Sequence, residues 1–261
     1  MIVLIEIIVY IIAGILAGTG IGLVGLSAAS IITPVLVVIL GFSAYKAIGI
    51  ALAADVLAAM VSSITYFKHK NIDLKNGIIM MISTMTFTYI SSCFAKNISN
   101  DTLGSISIYA TIFLGIRLIT KPITTPKGEV NKNRSRKKQI ILSIIWGALI
   151  GVVCGSIGVG GGVMILLVLT SILGYDLKTA VGTSVFIMAF TALTGSVTHI
   201  IHGGTNLMAM AFCGIFALIS SRTAAIFANK TDDKKLNKIT GIFLIIFGVI
   251  LLCIKLFGHV I

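Results

Sequence analysis

Residues 155–165 read GSIGVGGGVMI, with five glycines inside an apolar run from near Ile140 to Leu173. Glycine inside a helix costs about 1 kcal/mol relative to alanine, so a triplet there calls for another use. Glycine tolerates positive φ and close backbone approach, and a chain that turns at Gly158, Gly160, Gly161 and Gly162 frees backbone N–H groups. At membrane depth such backbone survives only buried in protein or beside a wet cavity. Freed amides at the start of a short helix near Val163 suit a small anion. The matching stretch in the first half, GLVGLSAASIITP, carries Ser27, Ser30 and Thr33. Thr33 reads as N-cap and Pro34 as first helical residue. Ser156 sits beside the second turn, and Thr183 and Ser184 open the next apolar span. Hydroxyls clustered with bare amides would ligate an anion; singly, they serve equally well as glue between membrane helices.

Ionisable residues inside apolar runs are functional candidates by default; Glu6, near the outer end of its run, is assigned nothing, and three others stand out. Asp55, in GIALAADVLAAMVSS, reads as a coupling site for a proton or cation, or as a partner for Arg222. Arg222, in LISSRTAAIF, could attract an anion or snorkel to the surface. His199 ends its span with His202 and could relay protons near neutral pH or simply be interfacial. No catalytic motif accompanies them: no HExxH, no GxxxxGK[ST], no GxS with a partner histidine. The four cysteines lack metal-ligand spacing. The chain is read as a non-enzyme with no cofactor and no metal.

These residues need a frame, and composition supplies it. The chain is 57% hydrophobic and 11% charged, with mean hydropathy +1.10. Soluble domains are about 25% charged, and the apolar runs here recur at membrane-crossing length. The N-terminal MIVLIEIIVYIIAGILAG lacks a basic leader and cleavage site, and reads as a retained membrane segment. The net charge of +12 sits between apolar runs, which is topology rather than nucleic-acid binding.

A shift of 133 residues lays the chain on itself: Gly14, Gly18, Gly22 and Gly25 fall on Gly147, Gly151, Gly155 and Gly158, and Gly49 falls on Gly182. Residues 1–120 and 140–261 form two membrane repeats, joined by a basic linker at 121–139. If the glycine-broken segment makes a hairpin of two short arms, each repeat has an odd number of elements and the copies are inverted. Omitting Arg222, that arrangement places 16 of 19 basic residues inside and only Lys46, Lys96 and Lys255 outside. The expectation is an all-α polytopic membrane protein of two inverted repeats. Each is a broken helical hairpin plus three transmembrane helices, giving eight long apolar segments and about ten helical elements. Gly14, Gly18, Gly147 and Gly151 also have the spacing of small-residue helix packing, so both uses stay open for them.

The stretch GSIGVGGGVMILLVL…LGYDLKTAVGTSVFIMAFTALTGSVTHI resembles the sulfite exporter TauE/SafE family. That family shows a duplicated glycine-rich first segment, a short apolar arm and an A-x-GTS helix start, here Ala180-Val181-Gly182-Thr183-Ser184. The first half departs: Ser27-Ala28-Ala29 replaces the triplet and AIGIAL stands for AVGTSV. The resemblance implies secondary transport of sulfite, organosulfonates or related small anions, without a prosthetic group. The reading is therefore a multi-pass permease of the cell membrane, its linker cytoplasmic, with export favoured. Its partners are the anion and the lipid bilayer, with no nucleic acid; self-association is left open. An anion channel and a membrane scaffold or complex subunit are the alternatives.

Overall fold

A computed structural model describes residues 2–120, 136–158, 161–228, 230–231 and 233–257. Among these residues all regular structure is helical. The first repeat holds α1 (Ile2–Val24), a 3₁₀ turn (Ala28–Ser30), α2 (Ile32–Leu40), α3 (Ala44–Lys68), α4 (Leu74–Ala95) and α5 (Asn100–Thr120). The second holds α6 (Arg136–Ile157), α7 (Gly161–Leu167) with a π turn (Val168–Ile172), α8 (Leu177–Gly203), α9 (Leu207–Ala228) and α10 (Asp233–Phe257). Six of these helices are long and apolar enough to cross a bilayer. Large apolar side chains such as Phe94, Phe113, Ile201 and Leu207 are more than half exposed. In a chain this greasy, that marks a lipid-facing surface.

The glycines position the helices. A Cβ at Gly14, Gly18 or Gly22 would lie 2.6, 2.1 or 2.3 Å from the carbonyl oxygens of Cys213, Ala217 and Ser221. A Cβ at Gly147, Gly151 or Gly155 would lie 3.0, 2.6 or 2.4 Å from those of Met80, Thr84 and Thr88. Each second-repeat contact is the first-repeat one with the copies exchanged. The stripes thus seat α1 in parallel on α9, and α6 in parallel on α4; packing is their use here. Hydroxyls of α4 add to the second seam: Ser83 donates to Ile144 O (2.8 Å), and Thr88 and Ser91 both donate to Gly151 O (3.2 Å each).

The same exchange fixes the symmetry. Helices α3 and α8 are antiparallel, with Gly49 against His199 and Gly182 against Tyr66. Helices α5 and α10 are antiparallel, with Gly115 against Ile245 and Gly248 against Ile112. Helices α4 and α8 are parallel, with Gly77 beside Thr183 and Gly195 beside Thr88. It follows that α1, α3 and α9 point one way and α4, α6 and α8 the other. Every helix opposes its own copy, so the repeats are related by a two-fold axis lying across the helices.

Each broken segment differs from the expected pair of short arms. Its first arm, α1 or α6, is full length at 23 or 22 residues, and only the returning arm is short. Because the glycines at four-residue spacing face a neighbouring helix, they do not interrupt α1 or α6. The interruption falls at the two glycines with matching positive φ, Gly25 (68°) and Gly158 (74°). Phe42, just after α2, meets the Tyr10 ring of α1 edge-on at 6.4 Å, so the chain returns to the level of α1's first half. The hairpin is re-entrant: it enters and leaves by one face, and its copy does the same from the other. In α6, Arg136–Lys138 form the first turn, so the helix begins inside the segment read as linker; residues 121–135 lie outside the described residues.

The helix seams yield a stability test. Gly18→Val would drive branched methyls into the Ala217 backbone, 2.1 Å from the would-be Cβ. Overpacking costs about 1–3 kcal/mol, so the variant should melt several degrees below wild type in detergent. An unchanged melting temperature would contradict the α1–α9 seam.

Candidate functional site

The two hairpin tips meet. A Cβ on Gly162 would lie 1.9 Å from Gly25 O, and one on Gly158 would lie 3.1 Å from Ala29 and 2.9 Å from Ile48. The Ser27 hydroxyl lies 2.9 Å from Gly158 O of the other repeat. Ser184, the eighth residue of α8, stands 3.1 Å from the would-be Cβ of Gly25, so it too reaches the first tip. Asp55 joins from the twelfth position of the 25-residue α3, which sets the tips near mid-depth. Its carboxylate accepts from Ala28 N (2.5 Å) and lies 2.6 Å from the Ser27 hydroxyl. Asp55 is fully buried.

The other expected residues distribute as follows. Ser30 and Thr33 are fully buried, and their hydroxyls have no hydrogen-bond partner among the described residues. Gly161 packs on Cys154. Gly160 lies outside the described residues. The Ser156 hydroxyl donates to Val152 O of its own helix rather than towards the tips. Thr183 sits on another face of α8, where its hydroxyl accepts from Asp73 N (3.0 Å). His199 is fully buried, with Nε2 2.8 Å from Gly155 O, Nδ1 3.2 Å from Tyr45 O and its ring on that of Tyr45 at 4.1 Å. A neutral imidazole can donate to only one of those carbonyls. Arg222 is exposed on α9 and does not pair with Asp55. In the second repeat Met188 takes the place of Asp55, its sulfur 2.8 Å from the would-be Cβ of Gly162. The copies thus present a carboxylate to one tip and a thioether to the other.

A second polar cluster spans the repeats nearer one face. The Tyr175 hydroxyl, before α8, donates to Asp73 Oδ2 at 2.6 Å. Asn76 Nδ2 donates to the same oxygen at 2.9 Å. Asp73 also caps α4 by accepting from Lys75 N (2.9 Å) and Asn76 N (3.3 Å). Burial works against the Asp73 charge, but the donors from Tyr175, Asn76 and the backbone outweigh it and hold its carboxyl below 3.8. Burial, and then that carboxylate, push the Tyr175 phenol up. At the opposite face the copies of Tyr175 and Asp73 are Phe42 and Asn206, so no such latch forms. The NIDLKN stretch signals Asp73 as a helix cap; nothing in the sequence signals its partner a hundred residues on.

Because the folded Asp73 carboxyl is more acidic than the unfolded one, its stabilisation is present above 3.8 and lost as pH falls through the lower folded value. Tyr175→Phe removes the strongest donor. The variant should then melt below wild type near neutral pH and lose less of its melting temperature on acidification, the two curves drawing together at low pH. Coincident profiles would show the latch to be idle.

Two inverted repeats, each sending a re-entrant hairpin to a shared polar meeting point, define a membrane transporter. The chain belongs to the sulfite exporter TauE/SafE family, whose family model matches residues 10–251. It is 25% identical over 260 residues to the probable membrane transporter protein YunE of Bacillus subtilis, covering 92% of this chain and 95% of that one. It is 26% identical over 196 residues to a probable membrane transporter protein of Methanocaldococcus jannaschii, covering 73% and 71%. No solved structure matches the chain.

Proposed function

We propose that the protein is a secondary permease for a small anion, sulfite or an organosulfur or organic anion, moved by rearrangement of the two repeats. The observation that carries this reading is the pair of orphaned hydroxyls at the first tip. Both residues, Ser30 and Thr33, are fully buried, and their hydroxyls have no hydrogen-bond partner among the described residues. A buried polar group left unpaired costs about 1–3 kcal/mol, and an anion between the tips would accept from both. Ser27, Ser184 and the glycines 158, 161 and 162 supply the remaining lining. Ser156 and Thr183 join only if the tips rearrange. A channel with the same lining would need no alternating states.

Outward movement is favoured for an anion that crosses alone: an inside-negative potential gives it about 2.3 kcal/mol per 100 mV. The test is flux in proteoliposomes across sulfite, sulfate, thiosulfate, sulfoacetate and acetate. Saturable flux of one or two of these is expected. A panel with no flux above protein-free vesicles would end the reading, and non-saturating flux would favour the channel.

A further inference from the structure

Hydrogen counting at the tips points to a proton. Ser27 Oγ has a single hydrogen and two acceptors within reach: Asp55 Oδ2 at 2.6 Å and Gly158 O at 2.9 Å. If Asp55 is ionised it has no hydrogen of its own, so the Ser27 hydrogen serves it or the other repeat, not both. If Asp55 is a carboxylic acid, its O–H donates to Ser27 Oγ and the Ser27 hydroxyl donates to Gly158 O. Both contacts are then made at once, in an unbroken chain from α3 to the opposite repeat. The two protonation states therefore differ in whether the hairpin tips are tied.

Among the described residues the surroundings supply no counter-charge. Asp55 is fully buried, and Arg222 of α9 is exposed. From α6, Cys154 presents a thiol close enough to feel the carboxylate. From α8, His199 faces the carbonyls of Gly155 and Tyr45 instead. The remaining ionisable groups on α3 and the elements packed around it are Tyr45, Lys46, Tyr66 and Lys68 of α3, Glu6 and Tyr10 of α1, Asp101, Tyr109 and Arg117 of α5, Lys178 and His202 of α8 and Cys213 of α9; among the described residues Asp55 hydrogen-bonds to Ser27 and Ala28 and to none of these. An anion arriving at the tips would meet a carboxylate in a medium where like charges repel strongly.

We propose that Asp55 carries a proton through the transport cycle, and that anion binding at the tips requires this proton. The inference rests on the anion-permease reading and names its coupling ion. One proton then accompanies each anion, entering from the solvent on one side and leaving on the other. A monovalent anion crosses as a neutral pair, so net flow follows the anion and pH gradients in place of the potential. Outward flow then requires the anion's own gradient to exceed any inward pH gradient.

Two measurements test this separately. The first is infrared difference spectroscopy of purified protein between acid and alkaline pH, which needs no substrate. A protonated-carboxyl C=O band is expected that Asp55→Asn abolishes and that Ser27→Ala, which keeps the carboxyl, shifts. The absence of such a band in wild type, or its persistence in Asp55→Asn, would overturn the proposal. The second is methanesulfonate, an anion at every working pH, in proteoliposomes with the potential clamped by potassium and valinomycin. Wild type should concentrate it on the alkaline side by up to about tenfold per pH unit, and Asp55→Asn should equilibrate it without accumulation. Accumulation retained in Asp55→Asn but lost in His199→Asn would move the proton to His199 and overturn the assignment. If no anion of any kind is carried, the permease reading fails, while the infrared result still decides the proton site.

Discussion

Gly162→Ala should cut transport tenfold or more while Gly41→Ala does not. At Gly162 a methyl group would stand 1.9 Å from Gly25 O and 2.8 Å from the Met188 sulfur. Met188 can swing aside, but Gly25 O belongs to backbone that is itself held at φ 68°. The tips must therefore part, breaking the contact by which one hairpin meets the other. Each 1.4 kcal/mol of misfit is tenfold in a rate or equilibrium, and overpacking of this kind costs about 1–3 kcal/mol. A fall in flux of tenfold or more is expected from protein that still elutes as a folded species. Gly41 is the control, since its φ of 66° is equally unusual for an L-residue but none of the described residues lies within 4 Å of a Cβ there. Its alanine variant bears only the backbone cost, about 1–2 kcal/mol, spent at the far end of α2. Equal flux losses in the two variants would mean that backbone conformation, and not the meeting of the tips, is what matters at these glycines.

Thr33→Val should leave the fold as stable as before, or slightly more so, and still weaken transport. The substitution keeps the shape of the side chain and deletes a buried hydroxyl that has no partner among the described residues. Removing an unsatisfied polar group relieves up to about 1–3 kcal/mol. If that hydroxyl serves the anion, its loss raises the half-saturation concentration about tenfold, the equivalent of one hydrogen bond to a charged group. Ser27→Ala should behave in the opposite sense for stability. Its hydroxyl is already committed to Asp55 and to Gly158, so truncation leaves buried acceptors short of a donor and the melting temperature falls. Paired melting curves and flux kinetics for the two variants separate a ligand from a strut. A Thr33→Val protein with unchanged half-saturation would remove Thr33 from the binding site.

Much of this was legible in the residues. Apolar runs of crossing length dictate helices in a bilayer because backbone groups there must be satisfied within their own segment. The 133-residue self-match, together with the bias of lysine and arginine to one side, was enough to imply inverted copies. The reason is that an odd number of elements cannot repeat in the same orientation. Gly158 was identifiable as a turning point because a triplet of glycines beyond it has no use in a packing stripe.

Other points were decided only by tertiary structure. Whether Gly14 or Gly18 breaks α1 or seats it depends on which face meets α9, and periodicity is silent about the neighbour. Ser156 and Thr183 have the composition of ligands, but one hydroxyl is taken by its own helix and the other by the α4 cap. Asp55 was visible as a buried acid; that it would meet Ser27 and Ala28 was not, because the contact closes a loop of 28 residues through a re-entrant turn. The sequence by itself determined the periodic and compositional features: helices, duplication, inversion and the places where a helix must yield. Only the folded chain determined the pairings, because a hydrogen bond or a close carbon contact acts over a few ångströms and carries no imprint along the chain that makes it.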